Sequence, residues 1–351
     1  MAAPAAGRAA ESIRAAIGAA GGAIPLSAYV DLALYGPAGF YTAPAPDGGR
    51  AGRRGDFLTS PEVGPLFGAV IARVLDAEWE RLGRPDPFTV VDAGAGPGTL
   101  ARAVLAAQPA CAANLRYVAV EVGAAQRERH PDGVESRSDM PDGPFHGVVL
   151  ANELLDNLPF RLAVYDGGWR ESYVVDAGDG TFGEILPVPL EPLPPWLPGR
   201  AAHGARAPIQ ESASGWLAAA LASLRAGRVV VIDYCRARTA EMAATPWRTW
   251  LRTYRGHERG GSYLAVPGDQ DVTVDVAVDQ LPEPDAVRSQ AQFLQRHGID
   301  ELVAEGRAAW RAAAATPDLA ALAMRSRVRD ADALLDPGGL GGFTVLEWVV
   351  D

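Results

Sequence analysis

The sequence runs to 351 residues with 32 basic and 43 acidic side chains, and its formal net charge of −11 disfavours nucleic acid or an acidic membrane as a broad electrostatic partner. That length permits one large α/β domain with insertions or two unequal domains, and the two cysteines, Cys111 and Cys235, cannot support a disulfide framework. No apolar run is long enough to insert in a membrane, and the Ala-rich start lacks the pattern of a secretory signal, so a soluble cytoplasmic protein is expected.

In chain order, residues 9–20 predict a short helix broken by Gly21-Gly22, and Pro25 opens a second helix with Tyr29, Leu32 and Ala33 on one face. The aromatic LYGPAGFYTAP segment reads as a loop and residues 44–52 as a mobile one. The irregular stretch GRRGDFLTSPEVGPLFG at 52–68 precedes an apolar helix over 65–82. So long a preface suits the enclosure of a ligand.

The clearest βαβ unit starts at Phe88. FTVVDAG reads as a buried strand, GAGPGTL as a tight turn, residues to about Gln108 as a helix, and LRYVAVE at 115–121 as the next strand. A third connection passes through Ser138-Asp139-Met140, and GVVLANE at 147–153 supplies another strand. These edges predict a doubly wound, mostly parallel sheet of the α/β class.

After Arg161 the pattern becomes hairpin-like through LAVYDG, GWRESYVVD and FGEILPV, followed by a proline-rich 187–198 segment and a predicted helix at 210–226. GRVVVIDY at 227–234 returns to a buried strand, 245–283 reads as loop and short strand, and helices are expected near 285–296, 300–315 and 318–330 before a closing strand, FTVLEWVV, at 343–350. The expected division is 1–84 for N-terminal helices and active-site loops, 85–165 for the first part of a core, 166–226 for an insertion and 227–351 for the remainder.

The strongest chemical signal is Asp92-Ala93-Gly94-Ala95-Gly96-Pro97-Gly98, after a strand and before a helix. Glycines permit close backbone approach, and amides at a helix start favour an anion. This turn can hold the methionyl carboxylate of S-adenosylmethionine, with Asp92 accepting from its amino group directly or through water. A nicotinamide fingerprint would place another glycine where Thr99 stands, and a phosphate-binding P-loop would end in Lys-Ser/Thr where Thr99-Leu100 stand. Glu121, ending the second strand, is placed to accept ribose hydroxyls, or else is a solvent-facing strand cap. Asp139 and Met140 suit the adenine amino group and ring, or are ordinary turn and core residues. Asn152 and Glu153 end the fourth strand on the edge that faces a transferable methyl group.

Together these pieces resemble the MidA-like methyltransferases, a family that includes a mitochondrial complex I assembly factor acting on protein arginine. The matching segments are YVDLALYGPAGFYT at 29–42, GDFLTSPEVGPLFG at 55–68, VVDAGAGPGTLAR at 90–102 and ANELLDNLPFR at 151–161, with VVVIDY, LRTYRGHE and PGDQDVTVDVAVD beyond them. The resemblance implies a class I S-adenosylmethionine-dependent methyltransferase fold with an additional substrate-enclosing region. It implies Gly94, Gly96 and Gly98 around the cofactor, Glu121 on ribose, and Gly55, Asp56, Thr59, Ser60, Pro61 and Glu62 near the active cavity.

Glu153 and Asp156 become the acidic candidates for presenting a cationic nitrogen, with helix capping as the alternative. His257 is a further proton-acceptor candidate or a hydrogen-bonded loop histidine, and the five histidines form no metal-ligand motif. Cys235 stands where similar proteins commonly carry glycine, and Asp92 where others use glutamate. The expected acceptor is a protein arginine, on a subunit of a respiratory or other multiprotein complex. A small metabolite as acceptor, or a non-catalytic assembly protein that keeps the cofactor pocket, stays open at this point.

Overall fold

The computed structural model describes residues 5–43, 59–256, 258–313 and 318–351, and the loop expected at 44–52 lies outside the described residues. The chain forms two compact units. The sheet unit draws its described residues from Ala51–Glu153, Ala220–Asp233 and Pro284–Asp351, and the accessory unit from Met1–Arg50, Leu154–Ala219 and Tyr234–Glu283.

The sheet unit holds seven strands: β1 Phe88–Ala93, β2 Leu115–Val120, β3 Glu135–Arg137, β4 Phe145–Asn152, β5 Leu224–Asp233, β6 Ala286–Ser289 and β7 Thr344–Val350. Their order is β3-β2-β1-β4-β5-β7-β6. β7 runs antiparallel to both of its neighbours and every other pair is parallel. This is the doubly wound sheet that the sequence predicts, and its order reverses between β1 and β4, where such sheets open a crevice at the carboxyl ends of their strands. β1 is buried along its whole length, and Val229, Val230 and Val231 of β5 are fully buried. Continuous apolar runs of this kind are what strands covered on both faces require.

At the opposite end of the sheet, register is set by glycine. Gly147 of β4 pairs with Thr89 of β1 and with Gly227 of β5. A Cβ on Gly147 would lie 1.7 Å from the Thr89 carbonyl oxygen, and one on Gly227 would lie 1.8 Å from the carbonyl oxygen of Gly147. Only hydrogen fits between these strands.

The helix Pro65–Arg81 buries Leu66, Phe67, Val70, Ile71, Val74 and Leu75, the three-and-four spacing of an amphipathic stripe. One turn further on, the stripe carries Glu78, only 3% exposed, with Arg81 at 2.7 Å and Arg228 at 3.3 Å. Arg228 also pairs with the equally buried Glu347 at 2.7 Å, which Arg288 contacts as well. The guanidinium partners offset the cost of burying these two carboxylates.

Two sequence expectations need correction here. Residues 286–289 are strand β6, not the start of a helix, because Ser289 ends the strand by capping the helix Gln290–Arg296. Its Oγ accepts the Gln292 amide at 3.2 Å, and the Gln292 side chain accepts the Ser289 amide at 3.0 Å. The helix expected over 210–226 is Glu211–Ala222, and β5 begins at Leu224, which already pairs with Phe145 of β4.

The accessory unit contains the helices Ala5–Ala19 and Leu26–Tyr35, the second of which buries Leu26, Tyr29, Val30, Ala33 and Leu34. Its largest sheet is antiparallel, with Trp169–Asp176 flanked by Arg161–Tyr165, Ile24–Pro25 and Phe182–Pro189, and with Arg206–Ile209 beside Arg161–Tyr165. The hairpins predicted after Arg161 are these strands. The proline-rich stretch folds back on them, since the Trp169 indole donates to the Pro198 carbonyl at 2.7 Å and Leu190 and Leu197 join Trp169 in a small core. A three-stranded sheet of Leu251–Arg255, Glu258–Arg259 and Asp271–Val274 completes the unit with a short pair, Cys235–Arg236 and Val276–Ala277. Among the described residues no helix is long and apolar enough to cross a membrane.

Candidate functional site

At the carboxyl end of β1 the chain turns through three glycines in left-handed backbone, with φ of 73° at Gly94, 54° at Gly96 and 78° at Gly98. Side chains rarely adopt this region, so the residue type follows from the turn. The Gly94 and Ala95 amides donate to the Val120 carbonyl at 2.9 and 3.0 Å, tying the turn to β2. Gly98 caps the helix Thr99–Ala106, and a Cβ on it would meet Pro131 at 3.0 Å and His130 at 3.2 Å.

Glu121 follows β2 and uses both carboxylate oxygens on backbone, accepting from the Gly96 amide at 3.0 Å and from the Gly123 amide at 2.7 Å. Burial raises its pKa, while those amides and Arg127 work in the opposite direction. Each oxygen keeps a further lone pair for a ligand hydroxyl. Asp92 is fully enclosed and accepts the Tyr117 hydroxyl at 3.0 Å. Burial pushes its pKa up to about 7 despite that hydrogen bond.

Asn152 and Glu153 stand just past the last β1–β4 pair, Ala93 with Ala151. The Asn152 amide donates to Glu153 Oε1 at 3.0 Å, and Asn152 Oδ1 is buried with no hydrogen-bond partner among the described residues. Glu153 itself has φ of 53°, and its amide donates to the Ile232 carbonyl at 2.8 Å. A long acidic side chain in left-handed backbone is strained, and strain of this kind gathers at functional sites. Past β3, Asp139 is exposed and accepts the Ser138 hydroxyl at 3.0 Å, while Met140 is half-buried.

The segment Thr59-Ser60-Pro61-Glu62 leads into a short helix, Ser60–Val63. Glu62 accepts the hydroxyl of Thr99 at 2.6 Å and so lies on the helix that follows the glycine turn. Ser60 points elsewhere, donating to Gln290 at 2.8 Å in the interior. Gly55 and Asp56 lie outside the described residues, as does His257.

One residue at the turn escaped the sequence reading. His130 places Nε2 2.9 Å from the Gly96 carbonyl oxygen. Nothing in the surrounding RERHPDG distinguishes it from an ordinary loop histidine, because the contact joins residues 34 apart.

Asp156 belongs to the accessory unit, in the single turn Leu155–Asn157. It is buried, contacts the Thr273 hydroxyl, and is pushed up to about 6 by burial, with the Thr273 bond and Arg252 favouring its charge. Its neighbour Asn157 donates to Asp271 at 3.0 Å, as does the Tyr41 hydroxyl at 3.0 Å. Burial and the nearby Asp156 raise Asp271 to about 7. Asp275 pairs with Arg236 at 2.8 Å and with Arg252. This buried network joins the Leu155–Asn157 turn to the strand Asp271–Val274.

Residues 70–297 match the family described as "putative S-adenosyl-L-methionine-dependent methyltransferase". The chain is similar to the mitochondrial protein arginine methyltransferase NDUFAF7 homolog of Drosophila melanogaster, with 28% identity over 73% of this chain and 65% of that one. It is also similar to the mouse NDUFAF7, with 26% identity over 44% of this chain and 42% of that one. The chain thus spans less than two thirds of the length of either relative. A Burkholderia thailandensis protein solved with bound S-adenosyl-homocysteine superposes with a TM-score of 0.81 at 26% identity, covering 100% of this chain and 95% of that one. With a class I sheet order, a glycine turn on β1 and an acidic residue at the end of β2, the chain belongs to the MidA-like family of S-adenosylmethionine-dependent methyltransferases.

Proposed function

We propose that this methyltransferase acts on a guanidinium nitrogen of a protein arginine, and that Glu153 presents that nitrogen. The strained backbone of Glu153 at the end of β4 is the observation on which this rests, since it holds a carboxylate where the sheet opens toward a ligand. The names of the fly and mouse relatives support the same acceptor.

In this reading the amides of Gly94, Gly96 and Gly98 receive the methionyl carboxylate, Glu121 the ribose hydroxyls, and Asp139 and Met140 the adenine. Asn152 Oδ1, buried and lacking a partner among the described residues, fits a ligand donor, as an orphan acceptor on this edge should. Asp92 accepts from the amino group, and a carboxyl whose pKa stands at about 7 gives up its proton readily beside a cation. The bound cofactor supplies an electrophilic methyl on a sulfonium sulfur.

The protein's contribution is alignment and proton management. Glu153 orients the guanidinium through charge-assisted hydrogen bonds and receives the proton that the methylated nitrogen releases. Asp156, enclosed against Thr273, takes a supporting part by fixing the turn that follows Glu153 in sequence. Glu62, held by Thr99, belongs to the segment that encloses the substrate. The acceptor is proposed to sit on a subunit of a respiratory or other multiprotein complex, and a cytoplasmic location is proposed with it, since two cysteines are too few for a disulfide framework.

The test is transfer of labelled methyl from the cofactor into a matched cell extract, followed by acid hydrolysis and separation of amino acids. Label on arginine is expected, and should disappear with Glu153→Gln. Label confined to a small molecule, or unchanged arginine labelling by that variant, overturns the reading.

A further inference from the structure

We infer that His130 is a positioning residue for the cofactor, holding the glycine turn in its ligand-receiving form before the ligand arrives. The inference rests on the assignment of that turn to the cofactor. Gly96 is the middle glycine of the turn, and without a side chain it has wider torsional freedom than other residues, narrowed only in part by Pro97 after it. Its amide belongs to the peptide plane before its Cα, and its carbonyl to the plane after it. Glu121 Oε2 accepts the amide at 3.0 Å, and His130 Nε2 meets the carbonyl oxygen at 2.9 Å. With both planes pinned, φ and ψ of Gly96 are fixed together.

A carbonyl oxygen only accepts, so Nε2 carries the proton. Burial lowers the imidazole pKa, Arg102 and Arg127 add to the effect, and the neutral ring is favoured. Nδ1 is then a buried acceptor with no hydrogen-bond partner among the described residues, which leaves the Gly96 contact as the ring's polar bond there.

The segment around His130 reinforces the same turn. Arg102 donates to the Pro97 carbonyl at 2.6 Å and to the Arg129 carbonyl at 2.7 Å, bracketing the turn and the chain next to His130. The His130 ring and Pro131 also occupy the space that any Cβ on Gly98 would need. A glycine turn left unclamped would be ordered only when ligand binds, at the expense of affinity. Glu121 and the Gly98 amide, which donates to the Ala95 carbonyl at 2.9 Å, pin the plane before Gly96, and His130 pins the plane after it.

The experiment is calorimetric titration of S-adenosylhomocysteine into the full chain and into His130→Ala, His130→Gln and Glu121→Ala. Losing one neutral hydrogen bond predicts an approximately five-fold rise in Kd for His130→Ala. The amide nitrogen of glutamine reaches nearly the position of Nε2, so His130→Gln should return Kd to within about two-fold of wild type. A merely structural histidine would lower the melting temperature of both variants alike without this rescue. Wild-type affinity in His130→Ala, or failure of the folded glutamine variant to restore binding, overturns the inference alone. Equal affinities for wild type and Glu121→Ala overturn the assignment of the turn on which it rests.

Discussion

Replacing Asp92 by asparagine removes a buried ionisable carboxyl while keeping its shape, and the effect on stability should depend on pH in one direction. Burial raises the Asp92 pKa from 3.8 to about 7 in the folded chain. The folded state therefore keeps its proton over a range in which the unfolded chain has already lost it. The stability linked to this proton is fully present below 3.8, falls as pH rises, and levels off above about 7. At roughly 1.4 kcal/mol per pH unit the whole span amounts to about 4 kcal/mol. Asparagine does not ionise, and its Oδ1 still accepts the Tyr117 hydroxyl. In urea unfolding, the stability of Asp92→Asn relative to wild type should therefore rise by about 2–3 kcal/mol between roughly pH 5 and pH 8. Asp156 and Asp271 titrate in the same direction but are present in both proteins, so they cancel. A stability difference that stays flat over that interval would refute the buried-carboxyl reasoning.

Three further outcomes are expected. Glu153→Gly should relieve left-handed strain and stabilise the fold by about 1 kcal/mol while cutting methyl transfer by about 100-fold, and thermal melts with turnover assays would expose a variant that does neither. Thr99→Val should raise the KM for the acceptor about five-fold by freeing Glu62, whereas Thr99→Ser keeps the hydroxyl and the wild-type KM; equal KM values for all three proteins would show the bond to be incidental. Arg228→Ala takes a guanidinium from both Glu78 and Glu347 and should cost about 3 kcal/mol in denaturant unfolding, and a loss below about 1 kcal/mol would mean that Arg81 and Arg288 suffice.

Much of the sheet unit was legible because its signals are local. A buried strand such as FTVVDA announces itself by composition, and a three-glycine turn at its end by backbone need. Strand β6 was misread, although Ser289 and Gln292 spell a capping box that marks where the helix starts. Residues 286–289 are too few for periodicity to separate strand from helix. His130 and the Thr99–Glu62 bond could not be read, since each joins residues more than 30 apart and neither residue type is unusual in its segment. Asp156 illustrates the reverse problem. Its neighbourhood in sequence pairs it with Glu153, yet its hydrogen-bonding partner, Thr273, lies 117 residues on.

The glycine contact at the base of the sheet acts as an index pin for the ligand edge. Sliding β4 by one residue against β1 would drive a side chain into a gap that admits only a hydrogen atom, so the strands lock in a single alignment. Asn152 and Glu153 lie five and six residues beyond Gly147 along that strand, about 17–20 Å away. Alanine at Gly147 would therefore shift the far rim without touching it. A defect in ligand capture would trace to a position that no map of the pocket includes.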